Sequence, residues 1–127
     1  MSDMDVEALQ QDLRRFSARR GWGRHHNPKS LVMALTVEVA ELVEHFQWLT
    51  EDESFRPADP EGVQEEVADV LIYLLQIADR LNIDIAEAVN QKMQRNANKY
   101  PEPVTVLGSD GGLHSLAEVC QRSPEGP

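Results

Sequence analysis

Three observations predict an all-α fold, a four-helix bundle. Apolar residues recur at spacings of three and four through most of the first hundred positions, capping residues and prolines bound four such stretches, and no stretch alternates as a strand would. A chain of 127 residues is long enough for one compact domain.

Val6, Leu9, Leu13 and Phe16 follow one another at spacings of 3, 4 and 3, marking a first amphipathic helix over about Asp5 to Arg20. Gly21, Gly23 and the pair Asn27-Pro28 break that pattern. A second helix is expected from Ser30, a good N-cap residue, to about Leu49. The segment TEDESFRPADP reads as a polar loop, and Asp59 followed by Pro60 starts a third helix that runs to about Leu81. Asn82 or Asp84 can cap a fourth, which Pro101 stops after Lys99. Residues 101–127 hold four of the seven prolines and read as a flexible C-terminal tail, with a short turn of helix at Leu113 to Cys120. Residues 1–100 are then the domain. Four helices of this length bury a modest core, so association with further copies is expected.

Composition excludes several classes of function. Twelve Lys and Arg stand against 22 Asp and Glu, a net charge of −10, which opposes binding to polymeric nucleic acid because that affinity rests on basic residues neutralising phosphates. The longest apolar runs, such as Val70 to Leu75, are far too short to span a bilayer. The acidic N-terminal residues lack the pattern of a secretion signal, so a cytoplasmic location is expected. The single Cys120 rules out an internal disulfide framework and any multi-cysteine metal site.

The acids are not spread evenly. Fourteen lie between Glu38 and Glu87 against two arginines, Arg56 and Arg80, whereas Arg14 to Lys29 holds six of the twelve basic residues and no acid. A solvated helix face is the plain explanation of such a cluster; the acids' angular positions point instead to an inward set, with surface acids at helix edges that pair with Arg80 or a partner chain as the alternative. At 100° per residue, Leu31, Leu35, Val39, Leu42, Phe46 and Leu49 form one apolar stripe, with Glu38, Glu41, His45 and Trp48 directly beside it. On the third helix Val63, Val67, Val70, Leu74, Ile77 and Leu81 form the core stripe, and Glu66, Asp69 and Tyr73 flank it. Glu65 falls toward the polar sector with Gln76.

Two helices therefore each bring an inward-leaning acid pair. Four carboxylates close together repel and need a cation, and hard oxygen ligands without cysteine favour Mg²⁺, with Mn²⁺ as a substitute, over zinc. On the fourth helix Lys92, Asn96 and Lys99 share a stripe with Ile85 and Val89. Snorkelling lysines explain that placement if it stands alone. Beside a carboxylate-bound metal, the same donors suit a polyphosphate. Trp22, Trp48 and Tyr73, three of seven aromatics, read either as core or as surfaces on which a base stacks. Spacing alone assigns no role to His26 or His45.

At this level the residues resemble a known family. Glu38-Val-Ala-Glu41, then 24 residues, then Glu66-Val-Ala-Asp69 is similar to the ExxE…ExxD signature of the MazG-like superfamily of all-α nucleoside triphosphate pyrophosphatases. The stretches FSARRGW, HHNPKSLVMALTVEVAELVEHFQW, VQEEVADVLIYLLQIADRLNIDIAEAV and KMQRNANKYP resemble its dCTP pyrophosphatase branch along nearly all of residues 6–101. Either acid pair alone is a weak signal; both pairs in order with FQW, DVLIYL and KYP are specific.

The resemblance implies a Mg²⁺-dependent hydrolase that cleaves a nucleoside triphosphate, dCTP or a modified cytosine nucleotide, to the monophosphate and pyrophosphate. By position it implies Glu38, Glu41, Glu66 and Asp69 as metal ligands, with Glu38 or Glu41 as the catalytic base. Lys92, Asn96 and Lys99 would contact phosphates or sugar, Trp22, Trp48 and Tyr73 would line the nucleoside pocket, and His26 would sit in the substrate-binding loop. It also implies a homodimer or homotetramer. The chain departs from the pattern at Val37, where many members carry a further glutamate, and at Leu13, Ser30 and Ala97, where animal dCTP-specific relatives carry His, Asn and Arg. Broad or dUTP-preferring activity is the alternative within the enzyme class, and a non-catalytic helical nucleotide- or protein-binding module is the alternative outside it.

Overall fold

A computed structural model of the chain describes residues 3–103, 105–107 and 111–115. Its helices are α1 (Val6–Arg19), α2 (Pro28–Glu44), α3 (Pro60–Arg80) and α4 (Ile85–Lys99), so the all-α, four-helix expectation is borne out. Residues up to Ala86 form one compact unit and those from Glu87 a second.

Within the first unit α3 is central, packed against both α2 and α1. Leu31 of α2 and Leu75 and Ala78 of α3 are its fully buried apolar residues. Truncating either leucine to alanine costs about 2–5 kcal/mol. Polar contacts fix α1 on α3: Gln10 Nε2 donates to the Leu75 carbonyl at 2.9 Å, and Arg14 pairs with Asp79.

The helix ends follow from local chemistry. Asp5 caps α1, its Oδ1 accepting the Ala8 N–H at 3.0 Å. Gly21, at φ +67°, closes α1. The Gly21 N–H donates to the Ala18 carbonyl and the Trp22 N–H to the Ser17 carbonyl, the pattern of a helix that ends in a left-handed residue. Asn82, at φ 53°, closes α3 in the same way, with the Ile83 N–H on the Ala78 carbonyl at 2.8 Å. Asn82 thus ends the third helix and does not cap the fourth. Asp84 is left as the residue that directly precedes α4.

The second helix differs from expectation at both ends. It is capped by Asn27, which accepts the Ser30 N–H at 2.9 Å, with Pro28 in the first turn. The Asn-Pro pair that reads as a breaker is a start signal, because the proline's missing N–H is one the first turn leaves unpaired anyway. The helix stops at Glu44, and His45–Leu49 continue in tight turns. A reciprocal cap explains the new direction: the Thr50 N–H donates to Glu53 Oε1 at 2.9 Å and the Glu53 N–H to Thr50 Oγ1 at 3.2 Å, seeding a 3₁₀ turn at Glu53–Phe55. The third helix begins as expected, with the Gly62 N–H on Asp59 Oδ1 at 3.0 Å.

The apolar stripes are covered only in part. Val39, Val67, Leu74 and Leu81, all expected in the core, are exposed in the single chain, Val67 by 52% and Leu74 by 43%. Leu75 and Ala78, on the side that meets α1, take their place in the core.

In the second unit α4 carries Lys92, Asn96 and Lys99 at exposed positions. Beyond it, Thr105–Leu107 pairs antiparallel with Leu113–Ser115, Val106 opposite His114, and Gly111 in the connection adopts φ +80°. The helical turn expected at Leu113 to Cys120 is therefore a strand over Leu113–Ser115, and its remainder lies outside the described residues. Threonine and valine with a glycine-bearing connection favour a short ladder over a helix here.

Candidate active site

On α2 and α3 the acids converge. Carboxylate oxygens of Glu38, Glu66 and Asp69 all lie within 4.8 Å of one another. Glu38 and Glu66 are half-buried, and Oε2 of each is shielded from water without a hydrogen-bond partner. Partial loss of hydration, then the neighbouring carboxyls of Glu66, Glu41 and Asp69, push the Glu38 pKa from 4.5 up to about 7. Glu41, half-buried one turn along α2, adds its charge to this field but stands outside the set of three.

Unpaired buried carboxylate oxygens are costly unless a cation or proton meets them. Three hard oxygen donors at this spacing fit a divalent cation of the Mg²⁺ or Mn²⁺ type. The donor set, with no sulfur and no imidazole, does not fit a structural zinc site.

The Glu38 and Asp69 carboxylates open into a cleft of about 370 Å³. Its aromatic side is built by the end of α1. The left-handed turn at Gly21 folds Trp22 back so that its ring meets Phe16 edge-on, with centroids 5.7 Å apart and planes at 63°. This is the apolar contact that such helix ends commonly make across the turn. The Arg20 guanidinium lies 3.4 Å over the Phe16 ring and holds that ring in place. Tyr73 lines the cleft as well, and lost hydration together with the Glu38 and Asp69 charges raises its pKa. His26 also lines it. Burial first, then Arg80 and His25, lowers its pKa, so His26 is neutral near pH 7.

Of the site residues expected from sequence, the structure gathers Trp22, His26, Glu38, Asp69 and Tyr73 around one cleft, with Glu66 in the carboxylate cluster beside it. Trp48 is not among them: α2 ends four residues earlier, and the indole is 87% exposed. Gln76, read as solvent-facing, is half-buried and lines the cleft with Ser17, Phe16, Leu13 and Ile72. A signal for Gln76 was present, since it continues the 66, 69, 73 series by three residues and falls close to Asp69 in angle. His45 is explained structurally: its ring stands beside Gly62, where a Cβ would come within 2.9 Å of His45 Cε1 and 2.3 Å of the capping Asp59 Oδ2.

Fold and site together define a class, an all-α bundle whose two packed helices present an ExxE and ExxD carboxylate cluster to an aromatic-walled cleft. The chain belongs to the MazG-like family, whose model matches residues 33–105. It is similar to dCTP pyrophosphatase 1 of Homo sapiens, at 42% identity, and of Rattus norvegicus, at 41%, each match covering 75% of this chain. The chain spans 61% of the length of those relatives. Among solved structures it is similar to a pyrophosphatase from Archaeoglobus fulgidus, with a TM-score of 0.73 and 44% identity over 80% of this chain and 97% of that one. The Bacillus-conserved MazG protein, a nucleotide pyrophosphohydrolase, shares the fold, with a TM-score of 0.56 and 22% identity over 76% of this chain and 93% of its own. Among the described residues no helix is long and apolar enough to cross a membrane.

Proposed function

We propose that this chain hydrolyses a deoxynucleoside triphosphate to the monophosphate and pyrophosphate with the help of Mg²⁺, and that its substrate is dCTP or a modified cytosine nucleotide. The observation that carries the reading is the Glu38, Glu66 and Asp69 cluster, with two buried and unpartnered carboxylate oxygens, at an aromatic-walled cleft. Glu38, Glu66 and Asp69, joined by Glu41, would hold the cation. When bound, Mg²⁺ would neutralise phosphate charge and lower the barrier to attack by water.

The chain's own groups supply the rest. Glu38 and Glu41, adjacent on one face of α2, are the two candidate bases that would accept a proton from the attacking water. Trp22 and Tyr73 offer stacking surfaces for the base, and neutral His26 offers one donor and one acceptor. Lys92, Asn96 and Lys99 are the donors we assign to phosphates or sugar. Trp48, exposed in the single chain, has no assigned contact in the cleft.

The uncovered Val39, Val67, Leu74 and Leu81 support assembly as a homodimer or homotetramer, since apolar residues at core spacing are otherwise left in water. The partners proposed are thus the triphosphate and further copies of the chain, in the cytoplasm. A second reading has its own observation: Leu13 lines the cleft where cytosine-selective relatives place a histidine, which favours broad or dUTP-preferring activity.

Incubation with canonical and modified triphosphates, with and without Mg²⁺, and measurement of pyrophosphate tests these readings together. Mg²⁺-dependent release that is fastest with dCTP or 5-substituted dCTP supports the first. Equal rates across bases, or a preference for dUTP, support the second. No turnover of any triphosphate leaves a non-catalytic module and overturns the proposal.

A further inference from the structure

The cleft has a second polar end. Asp69, Tyr73 and Gln76 line it in turn along α3, so from Asp69 to Gln76 it follows seven residues of helix, about 10 Å at the usual rise. That is the reach from an α-phosphate to the far edge of its base. Gln76 is half-buried, and Ser17 of α1, which lines the same cleft, is 4% exposed.

The Ser17 hydroxyl has no hydrogen-bond partner. A buried serine in a helix ordinarily bonds the carbonyl of the preceding turn, and native interiors leave few such groups unpaired. Leu13, Ile72 and Phe16 add no polar side-chain atom to the lining. The unused hydroxyl and the carboxamide therefore line the cleft with apolar neighbours on its wall, at the end away from Asp69, and both also border a small cavity lined by Arg14, His26, Asp79 and Arg80.

We propose that Ser17 and Gln76 hydrogen-bond the edge of the nucleotide base and so anchor the base in the cleft. The proposal rests on the nucleoside triphosphate reading and names the base-anchoring residues within it. A serine hydroxyl and a glutamine carboxamide each donate and accept, so the pair fits the mixed donor and acceptor edge of a pyrimidine. A base without such an edge would bury both groups unpaired, which sites of this kind reject strongly.

The test is calorimetric binding, in Mg²⁺, of three α,β-imido deoxynucleoside triphosphates that carry cytosine, uracil or difluorotoluene, the last being a shape mimic that hydrogen-bonds poorly. The wild type should bind its preferred pyrimidine about tenfold or more tighter than the mimic. In Ser17→Ala/Gln76→Leu that ratio should fall to about twofold or less, because the unpaired groups are gone. Ser17→Ala alone should raise the Tm of the ligand-free protein, since it removes a buried hydroxyl that has no partner; a hydroxyl needed for packing would lower it. A double variant that keeps the wild-type ratio, or a lowered Tm for Ser17→Ala, overturns the proposal. A wild type that binds all three no better than inorganic tripolyphosphate overturns the nucleotide reading itself, and this inference with it.

Discussion

Glu38 on α2 and Glu66 on α3 face one another across the helix pair, each with a buried carboxylate oxygen that no protein donor meets. Such an arrangement lowers the stability of the empty fold and favours any cation that can bridge the two residues. Removing one charge should therefore separate stability from function. Glu66→Gln should raise the Tm of the metal-free protein by a few degrees, corresponding to roughly 1 kcal/mol of relieved repulsion. In the same variant, stabilisation by added Mg²⁺ should disappear. Thermal melts with and without Mg²⁺ check both; a variant that Mg²⁺ stabilises as much as the wild type would remove Glu66 from the site.

The raised pKa of Glu38 gives a pH dependence of definite sign. Its folded value of about 7 lies above the ordinary 4.5, so the fold favours the neutral acid. That stability is complete below the ordinary value and is lost as pH rises through 7. Denaturant melts of metal-free protein should show the wild type losing on the order of 1–2 kcal/mol relative to Glu38→Gln between roughly pH 5 and 8, after allowance for solvent screening. A constant difference across that range would contradict the shift.

Gly21 holds Trp22 in the cleft. Its φ of +67° is strained for any residue with a Cβ, although a Cβ there meets nothing within 4 Å. Gly21→Ala should thus cost only the backbone term, about 1 kcal/mol or roughly 5 °C in Tm. The displaced indole should raise KM for the triphosphate more than it lowers kcat. Unchanged KM alongside the lowered Tm would separate Trp22 from nucleoside binding.

Leu74 is 43% exposed in a position the sequence marks as core. Leu74→Glu should shift the sedimentation coefficient from an oligomer to a single chain while far-ultraviolet dichroism stays helical. Sedimentation of the variant identical to that of the wild type would exclude this face from the assembly.

Much of this was legible in the sequence because its signals are local. Asp5, Asp59 and Pro60 start their helices as expected, and helical spacing alone places Glu38, Glu66 and Asp69 on inward edges. Competing local signals misled where two readings shared the same residues. Asn27-Pro28 resembles a breaker and acts as a start, and α2 stops at Glu44 although the apolar periodicity runs on past Trp48. Tertiary choices were not legible. Which side of α3 meets α1 decides that Leu75 is buried and Leu74 exposed, and it brings Gln76 to the cleft wall beside Ser17, a residue with no sequence signal of its own.

Phosphorus NMR of the products tests the central claim most directly. With dCTP, Mg²⁺ and the wild-type chain, the spectrum should show only monophosphate and pyrophosphate accumulating, and neither should form with Glu38→Gln. Diphosphate with inorganic phosphate, or equal product from the Glu38 variant, would contradict the assignment of this carboxylate cluster to cleavage of the nucleoside triphosphate.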